Sequence, residues 1–191
     1  MKRHLNFKID FRRTTIIILT VLITVPILGC NDLFTNPQGG QNNLLRNPTF
    51  EIGSNLSFKN WETISFFIGF SKDTPNRFCK WSAKLNTFNP LSLMPVAFQL
   101  YQTVKLPAGK KVYNFSFWAK EDSGYDGEAK IVNNNFIKTI TVNDSAWNNY
   151  SIIDTINTVS GDSVTVEFFG GYSNSYNGGK LLVDICYLTI N

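Results

Sequence analysis

Apolar and polar residues alternate with a period of two over most of the chain after residue 42. Successive side chains of a β-strand point to opposite faces of a sheet, so this alternation predicts strands with one buried face. The clearest case is the segment 112–120. Its inward set is Tyr113, Phe115 and Phe117, and its outward set is Asn114, Ser116 and Trp118.

The same pattern recurs along the chain, and no ten-residue segment after Cys30 has a helical period. Short strands separated by turns every 8 to 12 residues or so are typical of a β-sandwich or jelly roll. We therefore predict an all-β, antiparallel sandwich. The predicted strands are 43–51, 61–70, 78–85, 96–106, 112–120, 129–132, 136–142, 147–153, 163–169 and 181–190.

The first 29 residues differ from the rest. A cationic segment, 1–13, precedes the apolar run Thr14–Leu28. This order is typical of a secretory signal, and the run is shorter than the roughly 20 residues of a membrane-spanning helix. An uncleaved anchor is the alternative. Residues 30–42 are rich in Asn, Gln and Gly, which predicts a flexible tether. The predicted organisation is signal peptide 1–29, tether 30–42 and folded domain 43–191.

The end of the apolar run, Ile27-Leu28-Gly29-Cys30, resembles the lipobox of bacterial lipoproteins. The resemblance implies that Cys30 is acylated and becomes the new N-terminus, which anchors the protein to a membrane through lipid. Leu28 is bulkier than the usual small residue at its position. In bacteria that sort lipoproteins by the residue after the lipidated Cys, Asn31 rather than Asp resembles an outer-membrane sorting signal. The implied location is therefore the outer membrane or cell surface of a bacterial envelope.

The formal net charge of +4 comes from the first 29 residues, which carry five of the 18 basic and one of the 14 acidic residues. The remaining chain has 13 of each and is formally neutral. A nucleic-acid partner would require a basic surface, so none is expected.

Cys79 and Cys186 are the cysteines that remain beyond Cys30, and each lies in an apolar segment. An exported compartment permits oxidation. The sequence leaves two alternatives open, a disulfide between these residues or two buried thiols.

His4, in the predicted signal peptide, is the chain's one histidine. The mature chain therefore lacks Ser-His and Cys-His nucleophiles, histidine bases and histidine metal sites. No phosphate-binding loop, Gly-x-Ser-x-Gly or EF-hand motif is present either. We predict a protein that is not an enzyme.

Two carboxylates occur in apolar surroundings. Glu51 ends the first predicted strand, and Asp184 interrupts the apolar run 180–188. An unpaired buried charge costs several kcal/mol. If the first and last strands are neighbours, Glu51 and Asp184 can share a hard cation, which takes carboxylate and backbone oxygens. A protonated or hydrogen-bonded Asp184 without metal is the alternative.

Short motifs in a fixed order carry a family resemblance. They are Asn47-Pro48-Thr49-Phe50-Glu51, Gly53, Trp61, Ser82-Ala83-Lys84-Leu85, Gln102-Thr103-Val104, Phe115-Ser116-Phe117-Trp118-Ala119-Lys120, Trp147, Phe168-Phe169-Gly170 and Leu182-Val183-Asp184. With them, residues 43–190 resemble the jelly-roll carbohydrate-binding modules of the family 4, 9, 16 and 22 type, in the galactose-binding-like superfamily.

That resemblance implies non-catalytic binding of a polysaccharide or other glycan. It also implies a structural Ca²⁺ held by Glu51 and Asp184, although Ile185 replaces the second carboxylate that the family has after its Asp. A surface lipoprotein of the same fold that binds another protein, in adhesion or within the envelope, is the alternative function.

Aromatic rings stack on the C–H faces of sugars, and amides donate and accept hydrogen bonds to hydroxyls. Strand parity leaves open whether Tyr101 or Gln102 faces outward. The predicted ligand-binding residues are Trp118, Tyr101, Gln102, Trp61, Tyr125 and Tyr172. The predicted core aromatics are Phe50, Tyr113, Phe115, Phe117, Trp147 and Phe168.

Overall fold

The computed structural model describes residues 43–52, 55–64, 68–76, 79–86, 99–122, 126–134, 136–170 and 180–190. All regular structure in these residues is β, and they contain no helix long and apolar enough to cross a membrane. The predicted signal peptide and tether, with Cys30, and the loop residues Tyr125 and Tyr172 lie outside the described residues. The strands are β1 Glu51–Ile52, β2 Asn55–Leu56, β3 Glu62–Thr63, β4 Ile68–Ser71, β5 Ser82–Asn86, β6 Gln99–Lys105, β7 Gly109–Glu121, β8 Gly127–Asn133, β9 Phe136–Val142, β10 Asn148–Thr158, β11 Ser163–Phe169 and β12 Lys180–Ile190.

Ten of these strands form two five-stranded sheets in which every pairing is antiparallel. The first sheet has the order β3-β6-β11-β8-β9, and the second has the order β10-β7-β12-β5-β4. Strands β1 and β2 pair with each other. The predicted antiparallel β-sandwich is therefore confirmed.

The core fills the space between the two sheets. Phe168 of β11 contacts Phe115 and Phe117 of β7, with ring centroids 5.6 and 5.0 Å apart. These three rings are fully buried, as are Phe50 and Tyr113. The predicted inward face of β7 is confirmed.

Trp147 is the exception among the predicted core aromatics. It is half-buried, and its indole Nε1 donates a hydrogen bond of 2.8 Å to the Asp73 carboxylate at the surface. The prediction of a core position is wrong because Trp147 precedes β10 rather than lying within it.

The parity of β6, which the sequence left open, is now fixed. Leu100 and Gln102 point into the sandwich and are buried, whereas Tyr101 and Thr103 lie on the outer face of the first sheet. Tyr101 is partly exposed and Thr103 is exposed.

The predicted single strand 61–70 is wrong. Its beginning forms β3, which pairs with β6 of the first sheet, and its end forms β4, which pairs with β5 of the second. The inner faces of both sheets require apolar residues. A segment that passes from one sheet to the other therefore has the same apolar composition as one continuous strand. Phe58 and Phe70 stack 4.2 Å apart at this crossover.

The predicted opening strand, 43–51, is mostly turn. Asn47 and Phe50 have left-handed φ angles of 52° and 57°, which interrupt an extended chain. The segment nevertheless lies beside β12, as expected, because Leu44 N–H donates to Leu188 O and Cys186 N–H donates to Pro48 O, each at 2.8 Å.

Neither of the two alternatives for Cys79 and Cys186 holds. Cys186 is a free thiol, so it does not bond to Cys79. Cys186 is fully buried in the main core. Cys79 is disulfide-bonded, so it is not a buried thiol. Burial raises the pKa of the Cys186 thiol well above its usual value, so it remains a neutral core side chain.

Asp73 attaches the segment after β4 to the outer face of the second sheet. Its carboxylate accepts hydrogen bonds from Lys120 Nζ at 2.5 Å and from Trp147 Nε1 at 2.8 Å. Burial opposes ionisation, but the bonds from Lys120 and Trp147 outweigh it and hold the pKa of Asp73 below its usual value.

Asp73→Asn should remove a pH-dependent part of the stability. The ionised carboxylate is the bonded form, so its contribution is present above the ordinary aspartate pKa of about 4 and is lost as the pH falls through the lowered pKa. Since Asp73 is about half exposed, we expect less than about 1 kcal/mol. Urea unfolding across this acid range measures the effect, and equal acid slopes for both proteins would contradict it.

Candidate functional site

Glu51 and Asp184 are both fully buried, and unusual backbone geometry positions them. Phe50, directly before Glu51, and Ile185, directly after Asp184, have φ angles of 57° and 50°. The pairing of β12 with β7 also shifts register between Asp184 and Tyr187. Each left-handed residue without glycine costs about 1 kcal/mol or more, so the surrounding fold must hold these conformations.

Each of the two carboxylates uses one oxygen for backbone hydrogen bonds. Glu51 Oε1 accepts from the N–H groups of Lys80 at 2.6 Å and Trp81 at 2.7 Å. Asp184 Oδ1 accepts from Ile185 N–H at 2.8 Å. The second oxygens, Glu51 Oε2 and Asp184 Oδ2, are buried without a hydrogen-bond partner among the described residues.

Electrostatics make this arrangement costly when both groups are ionised. Burial raises the pKa of Asp184 well above its usual value, the Ile185 N–H opposes this in part, and the neighbouring charge of Glu51 raises it further. Burial also raises the pKa of Glu51. Two buried carboxylates that repel each other require a proton or a cation.

The donor set fits a hard cation such as Ca²⁺, because two unpartnered carboxylate oxygens are available. No group of three or more His, Cys, Asp or Glu residues that could hold a metal occurs in the described part of the chain. Further ligands would therefore be neutral oxygens, such as backbone carbonyls or water.

Two residues predicted to bind ligand use their polar groups inside the protein. Trp61 is buried, its Nε1 donates to Asn47 O at 2.9 Å, and its ring packs against Phe50 with centroids 5.1 Å apart. Gln102 is buried, and its amide accepts from Arg46 N–H at 2.7 Å and donates to Arg46 O at 2.9 Å. These contacts give both side chains a structural role, and their part in ligand binding stays a prediction.

Trp118 and Tyr101 lie on opposite outer faces of the sandwich. Trp118 is on the second sheet and packs against the buried pair Cys79 and Ile185. Tyr101 is on the first sheet. They cannot contact the same small ligand, so the structure separates two residues that the sequence grouped.

Polar side chains surround Tyr101 on the outer face of the first sheet. Tyr101 Oη donates to Glu62 Oε2 at 2.9 Å, and this bond raises the pKa of the phenol, which keeps it protonated. Gln99 Nε2 donates to Glu167 Oε1 at 2.6 Å on the neighbouring strand. Among the described residues, this face presents the partly exposed ring of Tyr101 beside amide and carboxylate groups.

A groove of about 480 Å³ lies at the edge of this sheet. Strand β3 pairs with Leu100 and Tyr101, so the rest of β6 has no strand neighbour on that side within the described residues. The volume is within the range of about 300 to 1,000 Å³ that is usual for ligand sites. The groove is lined by Leu44, Arg46, Asn60, Gln102, Thr103, Val104 and Lys105.

Apart from Gln102, the sequence did not mark the residues of this groove. Arg46, Asn60 and Lys105 are exposed polar residues from three separate segments, and nothing in their local pattern distinguishes them from any solvated surface. Among these three residues, Asn60 has an unusual backbone, with a left-handed φ of 73°. This conformation can be seen only in the folded chain.

No family model and no curated protein sequence matches the chain. Solved structures do match. A family 61 carbohydrate-binding module in complex with β-1,4-galactotriose has a TM-score of 0.56 and 24% identity, over 78% of this chain and 99% of that one. A family 16 carbohydrate-binding module has a TM-score of 0.57 and 13% identity, over 77% and 99%.

The fold is that of a carbohydrate-binding module. A crystal structure of a putative sugar binding protein from Bacteroides thetaiotaomicron has the same fold, with a TM-score of 0.54 and 12% identity over 78% of this chain and 100% of that one. An arabinose-bound α-L-arabinofuranosidase matches with a TM-score of 0.55 and 12% identity, over 82% of this chain and only 27% of the enzyme. The carbohydrate-binding-module fold that the motifs resembled is thus confirmed.

Proposed function

We propose that this protein is a non-catalytic glycan-binding protein whose ligand occupies the groove beside β6. The observation that carries the proposal is the groove itself, where Arg46, Asn60 and Thr103 converge from three segments of the chain. The carbohydrate-binding-module fold supports the ligand class. One structural neighbour was solved with a galactotriose.

Tyr101 extends the proposed site onto the outer face of the sheet. It lies two residues from Thr103 on the same face of β6, so a sugar chain in the groove can continue over its ring. Ring stacking supplies apolar contact, while Asn60 and Thr103 supply hydrogen bonds to hydroxyls.

Tyr101→Ala should weaken glycan binding by about tenfold or more, since it removes the accessible ring that stacks on the sugar. A glycan array identifies the ligand, and affinity gels or calorimetry with the purified protein measure the loss. Trp118→Phe is the matched aromatic control on the opposite face and should bind like wild type.

If Trp118→Phe weakened binding and Tyr101→Ala did not, the site would lie on the second sheet. If no glycan were retained and an envelope protein were captured, the ligand class would be wrong.

We propose further that Glu51 and Asp184 hold a structural Ca²⁺. The two unpartnered oxygens and the mutual repulsion of the carboxylates support this. Bound calcium would supply the positive charge that offsets both carboxylates. Glu51 begins β1 and Asp184 lies in β12, so an ion held by both would join these two strands and stabilise the fold rather than contact the glycan.

The proposal includes attachment to the outer membrane or cell surface of a bacterium through lipid on Cys30. Its support is the Leu28-Gly29-Cys30 motif after an apolar run. Several acyl chains give stable anchoring, whereas one gives only marginal binding.

Cys30→Ser should abolish lipid labelling and release the protein from the membrane. Expression in a bacterial host with a clickable palmitate, followed by fractionation, measures both effects. Cys186→Ser is the control and should keep its label, because that thiol is buried in the core. The chain's cysteines are Cys30, Cys79 and Cys186, and in the structure Cys79 is disulfide-bonded whereas Cys186 is free. Lipid on Cys30 therefore requires a reduced Cys79 in the mature protein. A Cys30–Cys79 disulfide found by mass spectrometry of that protein would contradict lipidation, since one sulfur cannot carry both bonds.

A further inference from the structure

We propose that the groove binds an acidic saccharide, with a carboxylate or sulfate group of the sugar held between Arg46 and Lys105. The proposal rests on the glycan-binding function above and adds the charge of the ligand.

The groove has two cationic side chains and, among the described residues that line it, no carboxylate. Both Arg46 and Lys105 are exposed. Neither forms an ion pair with a described residue, whereas Lys120, Lys130 and Lys138 each pair with a nearby carboxylate. The charge in the groove is therefore available to a ligand.

Two acidic side chains on segments that bond to β6 or its end are already engaged. Glu62, on the strand beside β6, accepts the hydrogen bond of Tyr101 Oη. Asp162, whose carbonyl accepts from Leu106 N–H, uses its carboxylate to accept Val159 N–H at 2.9 Å. Neither carboxylate is among the residues that line the groove.

The neutral polar side chains of the groove are those of Asn60, Gln102 and Thr103. The amide of Gln102 is used on both sides by the Arg46 backbone. The Thr103 hydroxyl is shared with the Thr165 hydroxyl at 2.8 Å.

Asn60 and Thr103 can donate and accept hydrogen bonds, while Arg46 and Lys105 can only donate. A group that only accepts hydrogen bonds and carries negative charge is the complement of these two cations. Arg matches the planar geometry of a carboxylate or sulfate with two parallel bonds, and Lys adds a point charge.

Calorimetry on the purified full-length protein tests this with three probes: an oligogalacturonide for carboxylate, dextran sulfate for sulfate, and a β-1,4-galacto-oligosaccharide as the neutral probe. We expect one of the acidic probes to bind best. We also expect its affinity to fall about tenfold or more between about 50 and 500 mM NaCl, because salt screens exposed charges.

Arg46→Ala and Lys105→Ala should each reduce binding of that acidic probe about tenfold, and Arg46→Lys should recover part of the loss. Arg46 bonds to Gln102 through its backbone alone, so this substitution leaves those bonds in place. Lys138→Ala is the matched control. It removes one charge at the opposite edge of the same sheet, on β9, and should change affinity less than twofold.

Tight binding of the neutral probe, insensitive to salt and to Arg46→Ala, would overturn the proposed charge of the ligand and leave glycan binding intact. An equal loss in Lys138→Ala would indicate diffuse charge attraction and would also overturn it. Failure of all three probes, together with an empty glycan array, would overturn both this inference and the proposed function.

Discussion

Calcium is expected to raise the melting temperature of the wild-type protein at pH 7, and a chelator to lower it again. An ion that binds only the folded state at about 100 times its Kd adds about 2.7 kcal/mol to the free energy of unfolding. For a chain of this size that corresponds to about 5 to 10 °C. Scanning calorimetry with EDTA and with millimolar calcium measures the shift.

Asp184→Asn tests whether calcium binding requires the Asp184 charge, without changing the shape of the side chain. Its amide keeps the shape of the side chain and removes the charge, so the calcium shift should disappear. In EDTA the variant should be at least as stable as wild type. The raised pKa of Asp184 means that the folded state binds its proton more tightly than the unfolded state, so stability falls as the pH rises above about 4 and the carboxylate ionises.

Asp73→Asn is the control for this comparison. Asp73 is a carboxylate on the same side of the molecule, bonded to Lys120 and Trp147, and its loss should leave the calcium shift unchanged. A calcium shift of the same size in Asp184→Asn would place the ion elsewhere. No shift in wild type would favour a proton shared by the two carboxylates.

The strands were readable from the sequence where one face is apolar and the other polar. The limits of β9 and β11 agree with the pattern, because Phe136–Val142 and Ser163–Phe169 each alternate between two turns. The pattern failed at 61–70, where the apolar residues serve two different sheets. Composition alone cannot show that the chain changes sheet there.

The parity of β6 depends on a contact far away in sequence. Gln102 faces inward because its amide bonds to the backbone of Arg46, which is 56 residues earlier. A strand with polar residues on both faces has no local signal of this kind. That is why Gln102 and Tyr101 looked equally suited to a ligand.

The carboxylate pair and the groove also differ in whether a local signal in the sequence marks them. Glu51 and Asp184 could be identified from the sequence, because a carboxylate in an apolar strand is a local anomaly that requires a partner. The groove could not be identified, because its members are ordinary surface residues until the fold brings them together. A buried pair of carboxylates is thus easier to predict than an open groove.

Trp61→Ala should destabilise the protein by about 3 to 5 kcal/mol, the usual cost of truncating a buried aromatic side chain. Trp61 is 6% exposed, and its ring contacts Phe50 and Phe168 at 5.1 and 6.0 Å between centroids. Trp61→Phe should cost less: it keeps most of the apolar contact and loses the hydrogen bond to Asn47 O, which is worth about 1 kcal/mol. Urea unfolding measures both.

Binding distinguishes this structural role from a place in the ligand site. Trp61→Phe should bind glycan like wild type at a temperature where both are folded, whereas Tyr101→Ala should remain as stable as wild type and lose affinity. The two aromatic residues thus give opposite results in the two measurements, because one ring is packed between the sheets and the other lies on the outer face. A Trp61→Phe protein of normal stability that no longer bound glycan would instead require the ligand to reach the interior edge of the sandwich.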